Sequence, residues 1–220
     1  MTLNPFDPTF ESLPQSIPVF PLTGVLLLPR GKLPLNIFEP RYLAMTQDAL
    51  AADRMIGMIQ PADPADRCRN PGLLDVGCAG RITSFSETDD GRFLLSLTGV
   101  CRFLVKEEVP TTRGYRRVVP DWTPFALDLT EDACQCIDRP RLTSALRTFF
   151  QQNGMQANWD AIESTPDERL VTTLSMICPF GPREKQALLE VADLPQRADM
   201  LLALIEMAVH DRRDGEAARH

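Results

Sequence analysis

The chain has 220 residues, enough for one large domain or two small ones with a real core. Its 44% hydrophobic and 24% charged content is that of an ordinary globular protein. A formal net charge of −7 works against sequence-blind binding to nucleic acid, which needs a basic surface to displace phosphate counterions, and against docking to anionic lipid. Lys32, Lys106 and Lys185 are the only lysines. The other cations are arginines, whose planar forks suit ion pairs. Residues 1–10 carry neither the basic nor the apolar part of a leader peptide. The most apolar segment, residues 200–209, is interrupted by Glu206 and falls far short of the ~20 residues of a membrane span. A cytoplasmic protein is expected.

Residues 1–16, with Pro5, Pro8 and Pro14, read as an extended lead-in. Residues 17–22 and 25–28 are short runs rich in Val, Ile and Leu, and both are predicted as strands. Pro29-Arg30-Gly31 is a turn signal, and residues 33–38 form a third extended piece. Pro40 suits the first turn of a helix through residue 52, where its missing N–H costs nothing. Tyr42, Met45 and Ala49 follow at helical spacing. Phe38 and Tyr42 are expected in the core beneath this helix. Glu39 is expected at its positive end and Arg41 on a nearby carboxylate; a contact surface is the alternative for this pair.

Residues 55–60 read as a strand and 61–72 as a mobile loop. Residues 73–86 and 92–109 read as two long strands around an Asp90-Gly91 hairpin turn. Asp89 and Asp90 could be paired carboxylates, but in this context they are read as turn formers. Phe93, Leu95 and Leu97 alternate, and a new alternation starts after Gly99 with Cys101, Phe103 and Val105. A glycine at that switch fits a bulge or barrel corner, and Gly77 and Gly80 are candidates for the same task in the partner strand. Arg81, Arg92 and Arg102 are expected as surface charges paired with Asp or Glu. Residues 115–119 make the last strand.

From about residue 120 the period changes. Leu142, Ala145, Leu146, Phe149 and Phe150 define an amphipathic helix ended by Asn153-Gly154. A short piece lies around Trp159 and Ile162. Thr165-Pro166-Asp167-Glu168 reads as a capping box for a helix carrying Leu170, Val171, Leu174, Ile177 and Cys178. Pro182 starts another, with Ala187, Leu188 and Val191 on its apolar side. Asp193 and Gln196 cap the last helix, whose stripe is Ala198, Leu201, Leu202, Ile205, Ala208 and Val209. This half reads as a helical bundle.

Several stretches carry a resemblance. They are I-P-V-F-P-L at 17–22, V-L-x-x-P-x-G at 25–31, P-L-x-I-F-E-x-R-Y at 34–42, D-V-G-C-A-G-R-I at 75–82, L-x-G-x-x-R-F at 97–103 and Y-R-R-V at 115–118. Together they resemble the N-terminal, substrate-binding domain of the ATP-dependent Lon proteases. C-P-F-G-P-R-E-K-Q-A-L-L-E at 178–190 and L-P-x-R-A at 194–198 resemble the helical half of stand-alone bacterial proteins of this type. The resemblance implies an α+β fold: a six-stranded, PUA-like β pseudo-barrel with one helix, followed by the helical bundle. The expected divisions are 1–16 as lead-in, 17–122 as barrel, 123–210 as bundle and 211–220 as a frayed tail. It also implies a non-catalytic module that binds unfolded or hydrophobic polypeptide segments, as an adaptor or chaperone-like factor working with a separate protease.

Other chemistry finds little support. A G-x-x-x-x-G-K-[ST] phosphate loop is absent, since Gly31-Lys32 leads into Leu33, and the chain ends soon after Val209 with no room for an ATPase or a Ser–Lys peptidase. The six cysteines have no disulfide-like spacing. Cys134-Gln-Cys136 could be half of a zinc site, but zinc needs four convergent ligands and the only histidines are His210 and His220. No cofactor, metal or catalytic residue is expected, and no peptide-binding residue can be assigned, because core and groove apolars look alike in sequence. A PUA-like RNA-binding module and, more remotely, a hydrolase are the rival readings. An open barrel edge that accepts an added strand and a cleft beside the bundle are the candidate surfaces.

Overall fold

The computed structural model describes residues 6, 8–66, 68, 70–130 and 137–217, with side chains through His210. Its strands are β1 (Ile17–Pro21), β2 (Lys32–Ile37), β3 (Met55–Pro61), β4 (Leu73–Glu87), β5 (Phe93–Val109) and β6 (Arg116–Asp121). Its helices are α1 (Pro40–Ala51), α2 (Arg139–Gln152), α3 (Trp159–Ser164), α4 (Asp167–Ile177), α5 (Pro182–Glu190) and α6 (Leu194–Ala217). They fall into two compact units. One holds the strands, α1 and residues 179–189; the other holds α2, α3, α4 and α6. Residues 179–189, which helical period alone groups with the bundle, thus pack with the strands.

The sheet runs β2-β5-β4-β3-β1-β6, and β5 pairs with β6 as well. That extra pairing curls the sheet into the expected pseudo-barrel, with β1 and β3 parallel across the α1 crossover. The β4–β5 hairpin turns at Gly91, which has φ +80°. There the Gly91 N–H donates to the Thr88 carbonyl at 2.9 Å. The bulge expected near Gly99 is present: Ala79 faces Cys101 and Gly80 faces Gly99, so Val100 is the extra residue. Gly99 also has a second reason to lack a side chain. Its Cβ would fall on the Leu28 carbonyl oxygen.

That close approach explains a departure from the sequence reading. Residues 25–28 form no strand. Leu26, Leu27 and Leu28 are buried, and it is the turn after them that bonds to β5. There Arg30 N–H donates to Gly99 O and Gly99 N–H to Gly31 O, both at 2.8 Å. Apolar content marked burial, and burial does not require a ladder. Inside the barrel, Phe103 stacks edge-on to Trp122 with ring centroids 5.8 Å apart. The Trp122 indole N–H reaches Pro14 O at 3.2 Å, tying down the lead-in.

In the second unit Leu142, Leu146, Phe149 and Phe150 are buried, as their spacing requires. Asp138 caps α2 by accepting from the Arg141 N–H. The capping box at 165–168 is not made. The Thr165 hydroxyl donates back to Ala161 O at 2.6 Å, and α4 opens from Pro166 without a side-chain cap. Arg139 competes for this junction: it donates to Ile162 O, Glu163 O and Thr165 O and pairs with Asp167. Ile177 is not on the apolar stripe but exposed. In the first unit, α5 buries Gln186, Leu188 and Leu189, a rotation away from the expected Ala187 and Val191. Asp193 caps α6 as expected, but the contact is one-way: its carboxylate accepts from both the backbone N–H and the side-chain amide of Gln196, each at 2.9 Å.

Candidate functional site

Strand β2 pairs with β5 on one side and with no strand among the described residues on the other. Along that free edge runs a groove of about 380 Å³, lined by residues 33–38 together with Phe20, Pro21, Leu22, Val25, Glu39, Arg41 and Tyr42. Period 2 builds its floor: Leu33, Leu35 and Ile37 alternate with exposed Lys32, Pro34 and Asn36. The same parity turns Phe38 outward. It is 62% exposed, not in the core as its neighbours suggested, and the Arg92 guanidinium lies over its ring at 5.9 Å.

Tyr42 does join the core, stacking on Phe20 at 4.3 Å. Arg41 covers its other side, 4.4 Å from the ring centroid. Glu39 makes no side-chain cap to α1; it pairs with Arg41 at 2.9 Å instead. Burial pushes the Tyr42 phenol up from its ordinary value, while Arg41 pulls it down.

Two glutamines that sequence reasoning passed over hold the groove's rim. Buried Gln60 accepts from the Gly24 N–H at 2.9 Å and donates to Pro182 O and Gln186 Oε1. Gln186 donates onward to Val76 O at 3.1 Å. All of these groups would be costly to bury unpaired, so the network fixes the 22–25 turn against β3, β4 and α5. Their separation of 126 residues left no local signal.

A second cavity, of about 310 Å³, lies beside the groove and shares Pro21, Leu22, Arg41 and Tyr42 with it. Its further wall includes Asp66, Cys68, Tyr115 and Arg116. Arg116 donates from Nε to Glu108 at 2.7 Å and holds that carboxyl below its ordinary value. Tyr115 donates to Asp48 at 2.7 Å.

The other candidates are dispersed. Arg102 is no surface charge. It is buried, forks onto Asp128 at 2.8 and 2.9 Å, donates to Leu189 O at 3.0 Å and covers the Phe125 ring. Arg92 pairs with Asp90 at 2.8 Å, and Asp90 also accepts from the Thr88 hydroxyl, as a turn former would. Asp89 is exposed on the same turn and Arg81 is half-buried. His210 is exposed at the end of the second unit. Cys78, Cys101 and Cys178 are buried thiols outside any disulfide, and burial pushes Cys101 up to about 12, which disfavours its thiolate at neutral pH. Among the described residues no three His, Cys, Asp or Glu side chains gather as a metal site would need. Cys134, Cys136 and His220 lie outside the described residues. No helix among the described residues is long and apolar enough to cross a membrane.

The model of the ATP-dependent protease La (LON) substrate-binding domain matches residues 16–207. The chain belongs to this family. Lon protease 2 of Myxococcus xanthus is 26% identical over 202 residues, covering 89% of this chain and 24% of that protein. Lon protease of Desulfosudis oleivorans is 26% identical over 198 residues, covering 86% and 23%. The chain therefore spans about a quarter of the length of these curated Lon relatives. The crystal structure of a Lon N-terminal domain protein from Xanthomonas campestris superposes with a TM-score of 0.59 at 24% identity, covering 86% of this chain and 97% of that one. The N-terminal domain of the Mycobacterium avium complex Lon protease gives 0.60 at 16% identity, covering 89% and 98%. These neighbours share the Lon N-domain fold, and the groove described above lies inside the matched region.

Proposed function

We propose that this Lon-type domain is a polypeptide-binding module that takes extended, apolar segments along the free edge of β2. The observation that carries this reading is the pairing of an unpartnered strand edge with an apolar groove whose rim presents Phe38 to solvent. Backbone hydrogen bonds along an edge supply affinity for any extended chain, and alternate side-chain positions supply preference. Family membership supports the same role. In this reading the module recognises, and ATP-driven unfolding and cleavage are supplied by a separate protease.

The arginines on and beside the strands support this over RNA binding. Arg92, Arg102, Arg113 and Arg116 are each paired with a carboxylate, so they form no free phosphate track.

The test is a fluorescence titration with a denatured model protein and with single-stranded RNA, each at low and high salt. The denatured protein should bind with micromolar affinity, since ordering a disordered chain costs entropy. Salt should change that affinity little, because apolar contacts and backbone hydrogen bonds are weakly screened. Tight, salt-sensitive RNA binding with no uptake of the denatured protein would overturn the proposal.

A further inference from the structure

We propose that Lys32 positions the bound polypeptide by donating a side-chain hydrogen bond to the one guest carbonyl that Pro34 leaves unmatched. This inference rests on the peptide-binding reading above and assigns a specific residue to it.

The direction of each backbone group of β2 follows from its register. The Gly99 N–H donates to Gly31 O at 2.8 Å, and Lys32 lies opposite Thr98. Bonded and non-bonded pairs alternate along an antiparallel ladder, so Leu33, Leu35 and Ile37 bond to β5. The backbone groups of Lys32, Pro34 and Asn36 turn to the free edge. Pro34 suits that place, because β5 needs no N–H from it. Within β2 the edge therefore offers the carbonyls of Lys32, Pro34 and Asn36 but the N–H groups of Lys32 and Asn36 alone. A guest strand running in either direction sets one of its carbonyls opposite the missing N–H. Such a carbonyl is costly to hold in an apolar groove without a donor.

The surroundings supply few donors. Across the groove stand the apolar side chains of Phe20, Pro21, Leu22 and Val25. The N–H groups of Leu22 and Gly24 are committed to Ile59 O and Gln60 Oε1. Arg30 donates to Thr130 O. The Asn36 side chain is short and lies beyond Pro34, on the carbonyl side of the gap. Lys32 meets the requirement. It shares a face with Pro34 through the period of two and precedes it, on the nitrogen side of the gap. The gap is less than a two-residue strand step away, about 7 Å, within reach of a four-carbon stem that ends in rotatable donors. The Lys32 ammonium is exposed, and no described residue pairs with it.

The experiment titrates a denatured model protein into the unmodified chain and into Lys32→Met, Lys32→Arg, Asn36→Ala, Pro34→Ala and the double variant Lys32→Met with Pro34→Ala. Circular dichroism verifies folding, and sedimentation verifies a single copy at the concentrations used. Lys32→Met keeps most of the stem and removes the donor. It should weaken binding about fivefold, the scale of one net hydrogen bond. Lys32→Arg keeps a donor and Asn36→Ala leaves Lys32 in place, so both should stay within about twofold of the parent. Pro34→Ala restores the backbone N–H, and in that background Lys32→Met should cost less than about twofold. Undiminished binding by Lys32→Met would overturn the inference. So would an equal loss with and without Pro34, which would show Lys32 acting by general charge attraction. A comparable loss in Asn36→Ala would give the donor to Asn36 and overturn it as well. In all three cases the unmodified chain still binds and the peptide-binding reading stands. If the unmodified chain takes up no denatured protein, that reading falls and this inference falls with it.

Discussion

The two margins of the β-sheet are built differently. Where β5 meets β6, the barrel is closed, Phe103 is fully buried against Trp122, and Arg102 and Asp128 lock the outside of the same stretch. Where β2 ends the sheet, no strand among the described residues pairs with its outer side, the walls are half-buried leucines, and Phe38 stands in solvent. One margin spends its apolar residues on stability and the other holds them available. A sheet that closed fully would have no edge to offer, and one open at both margins would lack a packed core.

Substitutions can break this contrast. The largest loss is expected for Phe103→Ala, which removes a ring from the closed side. Truncating buried aromatics typically costs ~3–5 kcal/mol, and chemical denaturation would measure it. An unchanged midpoint would mean that the closed margin is not where stability resides. Arg102→Leu should cost about 3 kcal/mol, because it leaves the Asp128 carboxylate and the Leu189 carbonyl buried without their partner. The double variant Arg102→Leu with Asp128→Leu should recover part of that loss, and additive losses would show the pair to be uncoupled. Gly99→Ala should cost about 2 kcal/mol by pushing the Leu28 carbonyl away, with a lowered melting temperature as readout. Phe38→Ala is the opposite case. Stability should change by no more than about 0.5 kcal/mol, while affinity for a denatured protein should fall several-fold. A stability loss comparable to that of Phe103→Ala would return Phe38 to the core and remove it from the binding surface.

Much of this contrast is written in local patterns. Alternation at Leu33, Leu35 and Ile37 gives β2, and the spacing of Tyr42, Met45 and Ala49 gives α1. Phe38 could have been read correctly from strand parity, but its aromatic character and its neighbour Ile37 suggested the core. Arg102 resembled any other strand arginine because Asp128 lies 26 residues away, in a 3₁₀ segment with no periodic pattern. The Gln60–Gln186 contact was invisible for the same reason at greater range. Buried polar pairs are set by the meeting of distant segments, and no window of sequence contains both halves. The capping box at residues 165–168 failed for the reverse reason: the local signal was present, and Arg139 from another helix engaged the same junction.

An edge that welcomes a foreign strand also invites a copy of itself, and β2 carries a guard against that outcome. Pro34 sits in the middle of the strand, with Lys32 at its start. A proline is tolerated in a sheet where its absent N–H faces away from the neighbouring strand, so the gap falls on the open side. Two β2 strands laid against each other would each present that gap, and two lysines would be drawn into the seam. Self-association is thereby penalised twice over, while a single visiting chain meets the gap only once. Fibre formation at high concentration is thus discouraged by the same strand that keeps the groove open.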